Sequence, residues 1–352
     1  MPVLDQNQNQ NQNQSIGLAV ERRFRTRYNT DIFARLVDTT PPSSKLVPPP
    51  IGGVYPLFHE NWDAELRSST YLDHFLAKIV GAAAAAIAVA AAGATGANAA
   101  TVSTAVANAA NTPNAAALTW RTAYATIARN GTANKPPHEM TQNELGDELL
   151  RILELGLERE SRFSEIIDQD DGDGAINYWL GMLKIDPARH PATNLMVRIG
   201  RRVGEHVSMC LKGDFRSPRP SELCPAITPM IDPPVTPSFP AGHAVQSYLM
   251  SYLLAYSLSD AAGVTKLPQH TLPAPTSSVA TFLAPATCPK GPLFDLAHRV
   301  SENRIVAGIH YPTDIRAGQA VAVQTFKDIQ TVASIWQALR GQVRAEFPQY
   351  AA

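Results

Sequence analysis

Apolar positions in the middle and C-terminal parts of the chain recur at helical rather than alternating spacing. Thr141 with Glu144 three residues on has the form of a capping box, ahead of an apolar stripe of Leu145, Leu149, Leu150, Ile152 and Leu153. A second helix is predicted from about Leu195 to Leu211, with Leu195, Met196, Ile199, Val203 and Val207 on its apolar side. A third follows His243, carrying Val245, Tyr248, Leu249, Tyr252 and Leu253; a fourth covers Leu293 to about Ala307; the last spans about Thr313 to Leu339. No convincing alternating strand and no internal repeat is present. The expected fold is all-α, built of packed helical bundles. Residues 1–60 read as a Gln/Asn tail followed by a Pro-rich arm, 61–194 as an N-terminal helical region, and 195–345 as a C-terminal bundle continuous with it.

Composition narrows the class of protein. The 352 residues are ample for a large core. Thirty basic against 31 acidic residues leave a net charge of −1, so no global field draws in nucleic acid or an anionic membrane, and any anion site must be local. The three cysteines, Cys210, Cys224 and Cys288, form no CxxC pair and no disulfide framework. The N-terminus has neither the basic nor the apolar region of a secretory leader. The uncharged run Ile79–Trp120 is rich in alanine, thirteen of the twenty residues from Gly81 to Ala100, with few strongly apolar residues there (Ile79, Val80, Ile87, Val89), and alanine gains little on entering lipid. A soluble protein is expected, cytoplasmic if placed anywhere, with no membrane partner.

One acidic segment invites a metal reading. Asp168 to Ile176 contains an Asp-Gly-Asp-Gly core like that of a calcium loop. With Gly174 as the turn glycine, however, Gln169 occupies the first ligand position and Leu180 stands where a bidentate Glu belongs. A solvated acidic turn is the better reading, and calcium is not expected.

Three stretches carry chemistry. Lys212, Arg216 and Arg219 lie within eight residues at the start of a proline-rich loop, opposed only by Asp214. Pro240-Ala241-Gly242-His243 opens a helix. Gly242 lets a ligand approach the backbone, the free N–H groups of a helix start favour an anion, and His243 beside them can move a proton. Farther on come Arg304, His310 and Asp314. Arg304 and His310 are about 240° apart on an ideal helix, so a straight helix would not aim both at one point; Gly308 and Pro312 allow a break, with Pro312 near the first turn of the next helix. Asp314 is placed to accept from one nitrogen of His310 and leave the other as a lone pair.

Lys212-x6-Arg219-Pro220, Pro240-x-Gly242-His243 and Arg304-x5-His310-x3-Asp314 together resemble the three-part signature of vanadium-dependent haloperoxidases and type-2 phosphatidic acid phosphatases. The motifs cover about 100 residues. The resemblance implies an oxyanion cage: Lys212, Arg219, Arg304 and the Gly242 N–H around the anion, His310 in line, and His243 as acid/base. It implies either vanadate held through His310, with hydrogen peroxide, a halide and an organic acceptor as substrates, or phosphate-ester hydrolysis through a phosphohistidine at His310. The chain departs from the signature at Ala241, where the family usually has Ser, and at Asn303, where Ser usually precedes the Arg. Thr236 and Met209 stand at positions associated with the halide site.

The lack of membrane spans and of a leader favours the soluble haloperoxidase branch, with bromide as the expected halide. Soluble acid phosphatase is second, and a non-catalytic scaffold that binds phosphate in the same site third. Pro-rich arms such as residues 15–60 often wrap a partner subunit, so a homodimer is expected.

Overall fold

The computed structural model describes residues 113–350, apart from 132, 171–173, 261–262 and 332. The Gln/Asn tail, the Pro-rich arm and most of the alanine run therefore lie outside the described residues. The protein is all-α. Eleven helices are described: α1 (Pro113–Arg129), α2 (Gln142–Leu155), α3 (Arg159–Asp170), α4 (Gly174–Met182), α5 (Pro191–Phe215), α6 (Pro220–Leu223), α7 (Gly242–Ser257), α8 (Val279–Leu283), α9 (Pro292–Val306), α10 (Pro312–Thr331) and α11 (Ala333–Glu346). Extended pairing among the described residues is limited to two isolated bridges, Ser259 with Thr265 and Thr271 with Lys290. No helix among them is long and apolar enough to cross a membrane.

The capping box is formed as the sequence suggests. Thr141 Oγ1 accepts from the Glu144 N–H (3.3 Å), and the Glu144 carboxylate accepts from the Thr141 N–H (2.8 Å). That start fixes which face of α2 turns inward, and Ile152 and Leu155 are buried.

α7 is the central helix. It packs against α5, α9 and α10 and is buried from Ala244 to Ser257 except at Gln246, which faces the cavity. A helix enclosed on all sides needs no polar face, which accounts for its nearly continuous apolar sequence. Around its C-terminal half Tyr252, Tyr256, Phe282 and Phe326 form one aromatic cluster, with Tyr256 and Phe326 centroids 4.7 Å apart. α5 approaches α7 closely at Gly204, where an added Cβ would lie 3.0 Å from Gln246 Cα. That approach brings the inner stripe of α5 up to the start of α7.

The helix predicted over Thr313–Leu339 is two helices, α10 and α11. The Phe326 and Trp336 rings are 6.2 Å apart between centroids, whereas ten residues of unbroken helix would separate them by about 15 Å. The chain folds back so that Trp336, Leu339 and Val343 cover the core. No Gly or Pro marks the turn, so local propensity gave no sign of it.

Candidate active site

The break between Arg304 and His310 is a Schellman motif. The Ile309 N–H donates to the Arg304 carbonyl (3.2 Å) and the Gly308 N–H to that of Ile305 (2.8 Å), with Gly308 in the left-handed region at φ +82°. A side chain at Gly308 would also meet Arg159 Nη2 at 2.6 Å. Arg159 in turn donates to the Val306 carbonyl (2.8 Å) and, across the loop, to that of Thr228 (2.6 Å). α9 ends there and α10 restarts at Pro312, which turns His310 inward, 3% exposed.

The two histidines have definite tautomers. His310 Nε2 lies 3.0 Å from Arg219 Nη1. Arginine only donates, so Nε2 is the lone pair and Nδ1 carries the proton, 2.9 Å from Asp314 Oδ2. Asp314 Oδ2 also accepts from the Tyr311 N–H (3.0 Å), while its Oδ1 has no hydrogen-bond partner among the described residues. Burial raises the Asp314 pKa. Burial and the charges of Arg219 and Lys212 hold His310 well below the usual histidine range. His243 Nε2 faces the Gln169 carbonyl at 3.3 Å, which can only accept, so Nε2 carries the proton and Nδ1 the lone pair. Burial, then the nearby Arg304, push the His243 pKa down to about 3.

The cations are held mostly by carbonyls. Lys212 Nζ donates to the Pro237 and Ser238 carbonyls. Arg219 donates through Nε to the Thr236 carbonyl (2.9 Å), through Nη2 to Thr236 Oγ1 (3.2 Å), and through Nη1 to the Ile309 carbonyl (2.7 Å). Neutral acceptors orient these groups without cancelling their charge. Arg304 differs: it is fully buried, its Nη1 is 3.1 Å from Asp170 Oδ1, its Nη2 donates to the Ile166 carbonyl (2.9 Å), and its Nε has no acceptor among the described residues. Burial lowers the Lys212 pKa, and brings those of Arg219 and Arg304 to about 10. An anion placed among them would relieve this strain on their charge.

Lys212, Arg219, Gly242, His243 and His310 line one cavity of about 130 Å³, and Met209 and Thr236 lie on its wall. Arg304 and Asp314 are not part of the lining. Asp314 stands behind His310, and Arg304 is engaged by Asp170, which does line the cavity. Arg216 turns out to solvent at the C-cap of α5.

Two features were not anticipated from the sequence. The first is the roof: α3 places Asp170 and the Gln169 carbonyl over the cavity. Asn303, the departure beside Arg304, ties it down, accepting from Arg162 (3.1 Å) and donating to Glu165 (2.9 Å) and Gln169 Oε1 (2.8 Å). Gln169, the first position of the supposed calcium loop, is thereby used inside the protein; residues 171–173 of that loop are outside the described set. The second is the polar stripe Arg201, Glu205, Ser208 and Lys212 on α5, which faces the cavity. Its 4-3-4 spacing was legible in the sequence as a polar line at helical spacing beside the apolar stripe of Ile199, Val203 and Val207.

The donor set fits a small oxyanion. The lining offers cationic and neutral donors at the N-terminus of a 16-residue helix. The position a Cβ of Gly242 would fill is open except for Ser208 Oγ at 3.4 Å and Lys212 Cε at 4.0 Å.

No protein-family model matches the chain, and no curated protein matches it. Among solved structures, one match is a protein described as the first bacterial vanadium-dependent iodoperoxidase. The identity is 16% and the TM-score 0.39. The match covers 58% of this chain and 54% of that one, so the chain spans about half the length of that protein.

Proposed function

We propose that the cavity binds a tetrahedral oxyanion and that the protein is a vanadate-dependent haloperoxidase, oxidising a halide, bromide as the first candidate, with hydrogen peroxide to hypohalous acid. The observation that carries the reading is the neutral, buried His310, which lines the same cavity as Lys212, Arg219, Gly242 and His243 and whose Nε2 lone pair, accepting from Arg219, would pass to the anion as Arg219 turns to the anion's oxygens. Lys212, Arg219 and the Gly242 N–H would hold the anion's oxygens, and His310 Nε2 would bind its central atom. Vanadate bound there supplies a Lewis-acid centre that activates hydrogen peroxide without changing oxidation state.

The chain's own groups do the rest. Asp314 keeps the His310 proton on Nδ1. His243, neutral and with its lone pair on Nδ1, would act as the acid/base, accepting and returning a proton at the cavity. Preorganised cations stabilise developing negative charge without reorganising. Asp170 competes with the anion for Arg304, and binding draws Arg304 toward the cavity. A small organic acceptor and a homodimer complete the proposal.

The same His310 lone pair is also what a phosphoryl acceptor needs, so soluble acid phosphatase is the second reading. The test is bromination of a phenol dye by the purified protein with vanadate, peroxide and bromide, run beside p-nitrophenyl phosphate hydrolysis without vanadate. Vanadate-dependent bromination inhibited by phosphate is expected. Phosphate release without bromination would move the assignment to the phosphatase. Two blank assays with retained anion binding would leave a scaffold without the proposed chemistry.

A further inference from the structure

The cavity wall carries a hydroxyl to which the proposed function gives no role. Ser208 lies one turn before Lys212 on α5, so both side chains point to the same face of the helix. It is 2% exposed and lines the cavity. Its Oγ donates to the Glu205 carbonyl, three residues back, at 2.9 Å. A carbonyl inside a helix already serves the backbone ladder, so this is a bond the hydroxyl can leave at small cost.

The geometry around Gly242 says where the hydroxyl can turn. A Cβ added at Gly242 would lie 3.4 Å from Ser208 Oγ and 4.0 Å from Lys212 Cε, with nothing else within 4 Å. The bare Cα of Gly242, the Ser208 hydroxyl and the Lys212 stem therefore border one gap, at the start of α7. That helix start has no hydroxyl of its own: its N-cap is Ala241, fully buried, with no side-chain cap bond.

We infer that Ser208 is a direct donor to the bound oxyanion, supplying from α5 the hydroxyl that Ala241 cannot offer from the helix cap. The inference rests on the oxyanion reading of the cavity. On binding, the hydroxyl rotates from the Glu205 carbonyl to an oxygen of phosphate or vanadate held between the Gly242 N–H and Lys212 Nζ. It exchanges a neutral bond for a charge-assisted one about twice as strong.

The experiment is equilibrium titration of the full-length protein with inorganic phosphate and, separately, orthovanadate. The variants are Ser208→Ala, Ala241→Ser and the two combined, and thermal midpoints are recorded without anion. Ser208→Ala is expected to weaken both anions about 10-fold, the size of one lost hydrogen bond to a charged group. Ala241→Ser alone should change affinity less than about 2-fold, because that position is already served, and in the double variant it should restore most of the loss. Rescue from a different helix is a result that a merely structural serine would not give. Unchanged affinity in Ser208→Ala, or a loss that Ala241→Ser does not restore, would overturn the inference while leaving the cavity's anion reading intact. Wild-type protein that binds neither anion would instead overturn the reading on which it rests.

Discussion

His310 is held by two one-sided partners, a guanidinium that can only donate and a carboxylate that accepts, and this pair dictates its protonation more firmly than its pKa does. Removing the ring should remove the anchor: His310→Ala is expected to lose phosphate and vanadate binding in calorimetry, and retention of wild-type affinity would refute the assignment. Asp314→Asn keeps the shape but weakens control of the tautomer, and a loss of about 10–100-fold in anion affinity is expected. Asp170 is the carboxylate that holds Arg304 away from an anion. Asp170→Asn should therefore tighten phosphate binding, and weaker binding would show that Asp170 positions Arg304 rather than competing for it. His243 supplies the pH signature. Its folded pKa of about 3 lies below the ordinary value of 6.5, so between these values the unfolded chain binds a proton that the folded one does not. Stability contributed by neutral His243 is full above about 6.5 and is lost as pH falls toward 3. The depressed His310 acts in the same sense, while the raised Asp314 acts in the opposite one. The clean readout is thus a difference: wild type should lose thermal stability relative to His243→Gln as pH is lowered from about 6.5 toward 4. Parallel curves would show that His243 titrates normally.

At the level of elements, the site depends on where helices stop. Arg304 and His310 share the cavity's neighbourhood only because α9 ends in a Schellman turn with Gly308 at positive φ. Gly308→Ala is expected to destabilise the protein by about 1–2 kcal/mol through that conformation alone. It should also weaken anion binding, because Arg159 must shift. A variant with wild-type melting temperature and affinity would show that the turn is not what positions His310. The break was legible in advance, since Gly308 between the two residues and Pro312 just after His310 announce it. The turn between α10 and α11 was not, because it carries no breaker and is decided by Trp336 reaching the core beside Phe326. The roof helix α3 was missed for a related reason. Much of its inward face is polar, Arg162 and Gln169, and those groups are buried only because Asn303, Glu302 and Glu165 meet them from the same or another helix.

Across the whole described molecule, the cations of the cavity are a cost that the fold carries in the absence of anion. Burial depresses Lys212, Arg219 and Arg304 together, and the nearby carboxylates (Asp314 for the first two, Asp170 for the third) offset it only in part. Binding of an oxyanion is linked to stability, so the thermal midpoint should rise with phosphate concentration as RT ln(1 + [L]/Kd), about 2.7 kcal/mol at a hundredfold excess over Kd. The rise should be absent in His310→Ala, and an equal rise in that variant would place the anion elsewhere.

The sequence by itself determined the all-α class, the capping box at Thr141, most of the helix positions, and a set of cations and histidines whose types and spacing point to an anion. Those properties are local: periodicity, caps and breakers act over a few residues. Tertiary structure alone decided which of them meet. It placed Lys212, Arg219, Gly242, His243 and His310 on one cavity and set Arg304 behind Asp170. It also brought Ser208 to the gap at Gly242 through the close crossing of α5 and α7 at Gly204. These are contacts between residues far apart in the chain, fixed by how buried faces pack, and no spacing along the sequence encodes them.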